Sequence, residues 1–209
     1  MTGIFAAARR LAPLLVAVVA FEEMSRDVTR LQSAIAPTPG LARALLRQSR
    51  QEAMHAAVFR GALRLTGIRA DCPPRLATGL AQVRLRLQDD LRRGDLGSSM
   101  LGLHCVMEGL GSTALQPPAG DLGRLGDRLV PLRALILEQE LAHQQLGERW
   151  IERMAGERSE LRVACQVYVE LAEAIVDAGL DAFGGYSADE AAYRIDSAAH
   201  LDRMRQRFA

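Results

Sequence analysis

Placed at about 100° per residue, positions 41 to 66 gather Leu45, Glu52, His55, Ala56, Phe59 and Leu63 on one side of a helix. Arg43, Arg47, Arg50, Arg60 and Arg64 occupy the remaining arc, as expected of a helix with one solvated and one buried face. An acid and a histidine therefore point inward. Between residues 130 and 155 the same projection gathers Leu132, Ile136, Glu140, His143, Gly147, Trp150, Ile151 and Met154, and it sets Glu138, Arg149 and Arg153 opposite. Glu138 reads as a surface acid and Glu140 does not. Residues 98 to 116 bury Leu101, His104, Cys105, Glu108, Ser112 and Leu115. In the first helical segment Phe21, Met24, Val28, Leu31 and Ile35 form the apolar stripe, with Glu22 and Glu23 flanking it on opposite sides. Glu23 lies slightly nearer the stripe and is taken as the inward acid, with Glu22 as the fallback.

Proline and glycine punctuate these patterns at Pro37-Thr38-Pro39-Gly40, Cys72-Pro73-Pro74, Gly94 to Gly97, Gln116-Pro117-Pro118-Ala119-Gly120 and Gly184-Gly185. They predict seven helices, at about 11–36, 41–67, 75–93, 98–116, 130–155, 159–183 and 187–208. The glycine-bearing stretch from Pro117 to Arg128 reads as a mobile surface loop, and nothing in it marks a domain boundary. The expectation is a single all-α domain over 1–209.

Composition narrows the partners. The 209 residues hold 26 basic and 25 acidic side chains, a net charge of +1, and every basic residue is arginine. That balance provides no field to attract nucleic acid or an acidic membrane. Three cysteines, Cys72, Cys105 and Cys165, share no short metal-binding or redox spacing, which suits a reducing compartment. The apolar run from Leu11 to Phe21 follows Arg9 and Arg10 as a signal peptide would, but it contains Pro13, is about half a membrane span long and continues as a helical pattern to Ile35. A cytoplasmic protein with no membrane anchor is expected.

Four inward acids and the inward histidines His55 and His143 set the chemical problem. An unpaired buried carboxylate costs several kcal/mol, and several in one core would rival a total stability of about 5–15 kcal/mol. The arginines on these helices mostly project outward, so the missing partner is a cation. Glu52-Ala53-Met54-His55 and Glu140-Leu141-Ala142-His143 are both Glu-x-x-His, whose two side chains are one helical turn apart and converge. Glu23 and Glu108 complete the set from two further helices. Each precedes its Glu-x-x-His by a similar interval, 29 residues from Glu23 to Glu52 and 32 from Glu108 to Glu140, so two helix hairpins face each other in pseudo-twofold fashion. Carboxylate-rich ligation with two imidazoles and no thiolate suits iron or manganese better than zinc or copper. Two iron ions are the expected cofactor, with a Mn/Fe pair as the alternative.

Two single glutamates and two Glu-x-x-His motifs resemble the ligand pattern of ferritin-like four-helix di-iron and di-manganese proteins. Across residues 15 to 185 the chain most closely resembles the aldehyde-deformylating oxygenases, the fatty-aldehyde decarbonylase group. The sharpest likeness is Glu140-Leu141-Ala142-His143 followed by Gly147-Glu148-Arg149-Trp150-Ile151; Glu52, His55, Phe59 and Glu108 match as well. That group's first ligand stands at a distance that Glu23 fits better than Glu22. The resemblance implies a ferritin-like bundle with additional helices and a non-heme di-iron oxygenase or oxidase. It further implies O₂, a small organic substrate and an external electron donor of the ferredoxin or reductase type. Phe59 stands where the similar tyrosyl-radical ribonucleotide reductase subunits place a tyrosine, so no radical is stored there. The chain departs from the aldehyde group at Gln144, Gln145 and Leu146.

Other residues near the acids have plainer readings beside the functional ones. His104, Cys105 and Ser112 lie on the face of Glu108 as cavity or hydrogen-bonding candidates; a satisfied core histidine, a packed thiol and a backbone-bonded serine are the competing readings. Gly109 and Gly111 admit either substrate approach or close helix packing. His200, on the last helix, reads as a surface or interface residue. A rubrerythrin-like peroxide reductase and an iron-storing ferritin-like protein are the alternatives, although no Cys-x-x-Cys module is present to deliver electrons.

Overall fold

Thr38 and Gly67 delimit the second helix by ordinary cap chemistry. In the computed structural model, which describes residues 2–115, 130–154, 158–183 and 187–208, Thr38 Oγ1 accepts the Leu41 N–H at 3.2 Å. Pro39 opens that helix where no N–H is needed, and Gly67 closes it at φ 66°. The described residues form seven helices and no strand. These are α1 (Thr2–Ile35), α2 (Pro39–Thr66), α3 (Pro74–Arg92), α4, α5 (Val130–Arg153), α6 (Arg158–Phe183) and α7 (Ser187–Arg207). α4 is composite, with α-helical Leu96–Met100, π-helical Leu101–Met107 and α-helical Glu108–Leu115. The loop expected from Pro117 to Arg128 lies outside the described residues.

The hairpin of α1 and α2 faces the pair α4 and α5, and these four helices make the bundle. α3 packs on α1 and α6, α6 lies against the π-helical segment, and α7 closes over α6 and the end of α4. The apolar run at 11–21 is simply part of α1, which continues to Ile35, and no helix among the described residues is long and apolar enough to cross a membrane.

Two expectations about helix phase need correction. α4 is not one regular α-helix. Its π-helical turns are buried on every side, from Leu101 to Met107, and such wide turns are frequent at functional sites. Here they lead directly into Glu108. His200, read from sequence as a surface or interface residue, is not at the surface: it is buried where the last helix meets this segment and donates its Nε2–H to the Val106 carbonyl at 3.1 Å. Gly109 leaves room for that ring, because a Cβ there would lie 2.1 Å from His200 Cε1.

The second correction concerns α1. Leu31 and Ile35, assigned to its buried stripe, are 46% and 41% exposed. The face turned to the bundle carries Glu22, Ser25, Thr29 and Gln32, all buried, at helical intervals of three, four and three. A polar stripe is invisible to a search for apolar ones. Met24 and Val28 are also buried, so α1 is covered over a wide arc.

Gly147 is a point of close approach between α4 and α5. A Cβ there would stand 2.4 Å from His104 Cβ, a backbone-proximal atom that cannot swing aside. Gly147→Ala is expected to lower stability by about 1–3 kcal/mol, the usual cost of overpacking, read as a lower unfolding midpoint in chelator-treated protein. A midpoint equal to that of the parent would show that α4 and α5 are less closely packed than described.

Candidate metal centre

Helices α1, α2, α4 and α5 each turn one glutamate into the bundle centre, and α2 and α5 each add the histidine one turn later. Glu22, Glu52, Glu108 and Glu140 are at most 2% exposed, His55 is fully buried and His143 is 4% exposed. Their donor atoms form two groups that share two members. Glu22, Glu52, His55 and Glu140 make one, and Glu52, Glu108, Glu140 and His143 make the other, with all donor atoms in a group within 4.8 Å of one another. Glu52 and Glu140 belong to both, so they stand between two positions, each of which has its own glutamate and imidazole. The imidazole ring centroids are 6.2 Å apart.

Five of the six residues expected from sequence are thus brought together: Glu52, His55, Glu108, Glu140 and His143. Glu23 is not among them. It is about two-fifths exposed and pairs with Arg60 on α2, while Glu22, its neighbour, enters the cluster with Oε2 3.3 Å from His55 Nδ1. The physical reason is the polar stripe of α1: the apolar projection pointed about one residue away from the true inward face. Glu23→Ala is therefore expected to leave metal binding unchanged and to cost no more than about 1 kcal/mol, the value of an exposed ion pair. Titrating metal into this variant beside Glu22→Ala checks the assignment, and loss of metal in Glu23→Ala would reverse it.

The contacts inside the cluster have the distances of hydrogen bonds without consistently having their alignment. His55 Nδ1 lies 3.0 Å from Glu140 Oε1 and 3.3 Å from Glu52 Oε2, and His143 Nδ1 lies 3.0 Å from Glu52 Oε1. Yet Glu52 Oε2, Glu108 Oε2, both Glu140 oxygens and His143 Nδ1 are buried with no hydrogen-bond partner among the described residues. Unsatisfied acceptors converging on common points are what a cation site requires, and four carboxylates balance two divalent ions. The donor set fits such a pair.

Asp90 supplies the contrast. It is the other buried acid among the described residues, and the chain compensates it internally with the Tyr168 hydroxyl, Arg86 and Arg93. Among the described residues no arginine does this for the four glutamates. Burial pushes Glu22 well above the usual carboxylate range, against the His55 contact and with help from Glu140 and Glu52. Burial and the charges of Glu140 and Glu52 do the same to Glu108. Burial also opposes ionisation of Glu52, but His143 and His55 outweigh it and hold its pKa below the normal value. For His55 burial favours the neutral ring, and Glu140, Glu22 and Glu52 overcome that to push its pKa up to about 12. The metal-free site is thus held together by protons.

Glutamines surround the cluster. Gln48 Nε2 donates to Glu52 Oε1 at 3.0 Å and to Glu108 Oε1 at 3.3 Å. His104 lies outside both donor groups; its Nε2–H donates to Gln32 Oε1 at 2.8 Å, and burial lowers its pKa to about 3, so it is a neutral core histidine. Cys105 packs in the apolar core, where burial raises its thiol to about 12. Ser112 is buried, and its hydroxyl has no hydrogen-bond partner among the described residues, so the expected backbone bond is not formed.

A cavity of about 180 Å³ opens beside the cluster. Val18, Phe21, Phe59, Leu80, Leu110 and Gly111 contribute to its apolar wall, and Glu22 and Glu140 are the carboxylates that reach it. Phe59 and Gly111 are therefore cavity residues, whereas Gly109 serves helix packing.

Neither a protein-family model nor a curated protein sequence matches the chain. Its structure is similar to that of a Synechococcus protein described as having aldehyde deformylating oxidase activity, with a TM-score of 0.76 at 19% identity over 97% of this chain and 89% of that one. The architecture built above, four ligand-bearing helices with three more packed around them, is a ferritin-like helical bundle.

Proposed function

We propose that the protein is a non-heme di-iron oxidoreductase, a monooxygenase or oxidase acting on a small, largely apolar organic substrate. The observation that carries this reading is the pair of donor groups sharing Glu52 and Glu140. Glu22 and His55 would hold one iron, Glu108 and His143 the other, and Glu52 and Glu140 would bridge them. When bound, a pair of redox-active ions supplies O₂ activation with electrons from an external donor.

The chain's own contribution is placement and exclusion of water. The apolar cavity meets the cluster at Glu22 and Glu140, so a substrate held there approaches the Glu22 side, while Glu108 and His143 stay enclosed. Phe59 and Phe21 line the cavity with rings that resist oxidation, and Tyr193 contributes to its wall as well. The same cavity favours an organic substrate over peroxide reduction or iron storage, which need no apolar chamber. Aldehyde deformylation, the activity of the Synechococcus neighbour, falls within this class. Three free cysteines suit a reducing cytoplasm.

Anaerobic loading with Fe²⁺ followed by O₂ tests the proposal. About two irons per chain and a transient absorption band on O₂ addition are expected. Gly111→Phe should then fill the cavity, because only Phe21 Cε1, at 3.7 Å, lies near a Cβ at that position. Iron content should persist while coupling of O₂ consumption to oxidation of an apolar substrate falls at least about tenfold. Iron binding with no organic product from any apolar alcohol, aldehyde or alkane would favour the storage or peroxide-reductase reading.

A further inference from the structure

We infer that Gln51 and Gln139 are positioning residues that each lock the imidazole of the opposite Glu-x-x-His motif. Gln139 Oε1 accepts the Nε2–H of His55 at 2.8 Å, and Gln51 Oε1 accepts the Nε2–H of His143 at 2.9 Å. Gln139 immediately precedes Glu140 on α5, and Gln51 immediately precedes Glu52 on α2. The motif is thus Gln-Glu-x-x-His twice over, with each glutamine reaching across the bundle to the other motif's ring.

The chemistry of the amide fixes what the crossing does. A glutamine oxygen only accepts, so it demands a proton on Nε2 and leaves Nδ1 as the nitrogen facing the carboxylates. In both rings Nδ1 is the atom within 3.3 Å of cluster oxygens. An imidazole held this way offers its Nδ1 lone pair to a cation once any proton there has left. The amide also carries no charge. A carboxylate in its place would strengthen the ring as a donor, whereas glutamine orients it without adding a negative group to a site already holding four acids. Because Gln139 acts on the His55 position and Gln51 on the His143 position, the two straps act on different halves of the site.

This inference rests on the reading that the cluster binds two divalent ions, and Co²⁺ alone serves as the probe. Wild-type protein should bind two Co²⁺ per chain; failure to bind any would overturn the metal reading itself. Gln139→Leu should weaken one of the two positions about 10–100-fold and split the titration into two steps, with altered d–d absorption for that step. Gln51→Leu should do the same to the other position, and Gln139→Glu, which restores an acceptor, should recover the affinity. Leucine variants that bind two Co²⁺ with wild-type affinity and spectrum would overturn the inference while leaving the metal reading intact. Wild-type protein loaded with diamagnetic Zn²⁺ gives a check that no variant's folding can disturb. Long-range ¹H–¹⁵N spectra should show both His55 and His143 protonated on Nε2 with slow exchange, and a proton on Nδ1 of either ring would refute the assignment.

Discussion

Glu52→Ala should empty both cation positions at once. Glu52 belongs to both donor groups, whereas Glu22 and Glu108 each belong to one, so their variants should retain about one ion per chain under saturating metal and Glu52→Ala about none. The metal-free proteins should also separate. Glu52 is the carboxylate that His143 and His55 keep ionised, so its removal breaks a buried ion pair and is expected to cost about 3–5 kcal/mol. Glu108→Gln removes a group that burial, Glu140 and Glu52 already hold in its protonated state, so the metal-free variant should be as stable as the parent or more so. Metal analysis and chemical unfolding of the three variants provide the check. Equal metal loss in all three would mean that the sharing of Glu52 has no consequence.

Metal-free protein should lose stability as pH rises from 7 to 9, and protein with excess Mn²⁺ should not. His55 is raised from 6.5 to about 12, so the folded state keeps a proton that the unfolded state loses; the stabilisation is complete below 6.5 and declines as pH climbs toward 12. Glu22 and Glu108, both raised above 4.5, act in the same direction. Glu52, held below its normal value, is ionised in both states over this range and adds no slope. His104 and His200, both lowered by burial, oppose the trend only while unfolded histidine is still protonated, below about pH 7. Each retained proton corresponds to about 1.4 kcal/mol per pH unit at full separation of the two states. Cations must displace these protons, so metal affinity should rise over the same interval. Thermal unfolding at pH 7, 8 and 9, with chelator and with Mn²⁺, measures both trends; a metal-free midpoint that rises with pH would contradict the proton-held site.

What was legible in the sequence followed the physics of amphipathic helices. α2 and α5 carry arginine-rich outer faces, so Glu52, His55, Glu140 and His143 could be assigned to the inner face, and they lie there. α1 has no such contrast. Its inward face is Glu22, Ser25, Thr29 and Gln32, and hydrophobic periodicity chose Glu23 because it weighs apolar residues only. A search for uncharged polar residues at intervals of three and four beside an acid would have found Glu22. The π-helical turns of α4 left no periodic trace, since Leu101 to Met107 are buried on all sides and any phase fits an all-buried segment. For His200 the pattern left surface and interface both open for a related reason: its partner is a backbone carbonyl, Val106, which no residue-type pattern reveals. The crossed glutamines were visible as the repeated Gln-Glu-x-x-His, but what they bond to required coordinates.

Anomalous scattering from crystals of Mn²⁺-loaded protein is the most direct test. Two peaks are predicted, one contacted by Glu22 and His55 and the other by Glu108 and His143, with Glu52 and Glu140 touching both. No peak within the bundle, or a peak held by Glu23 in place of Glu22, would contradict it.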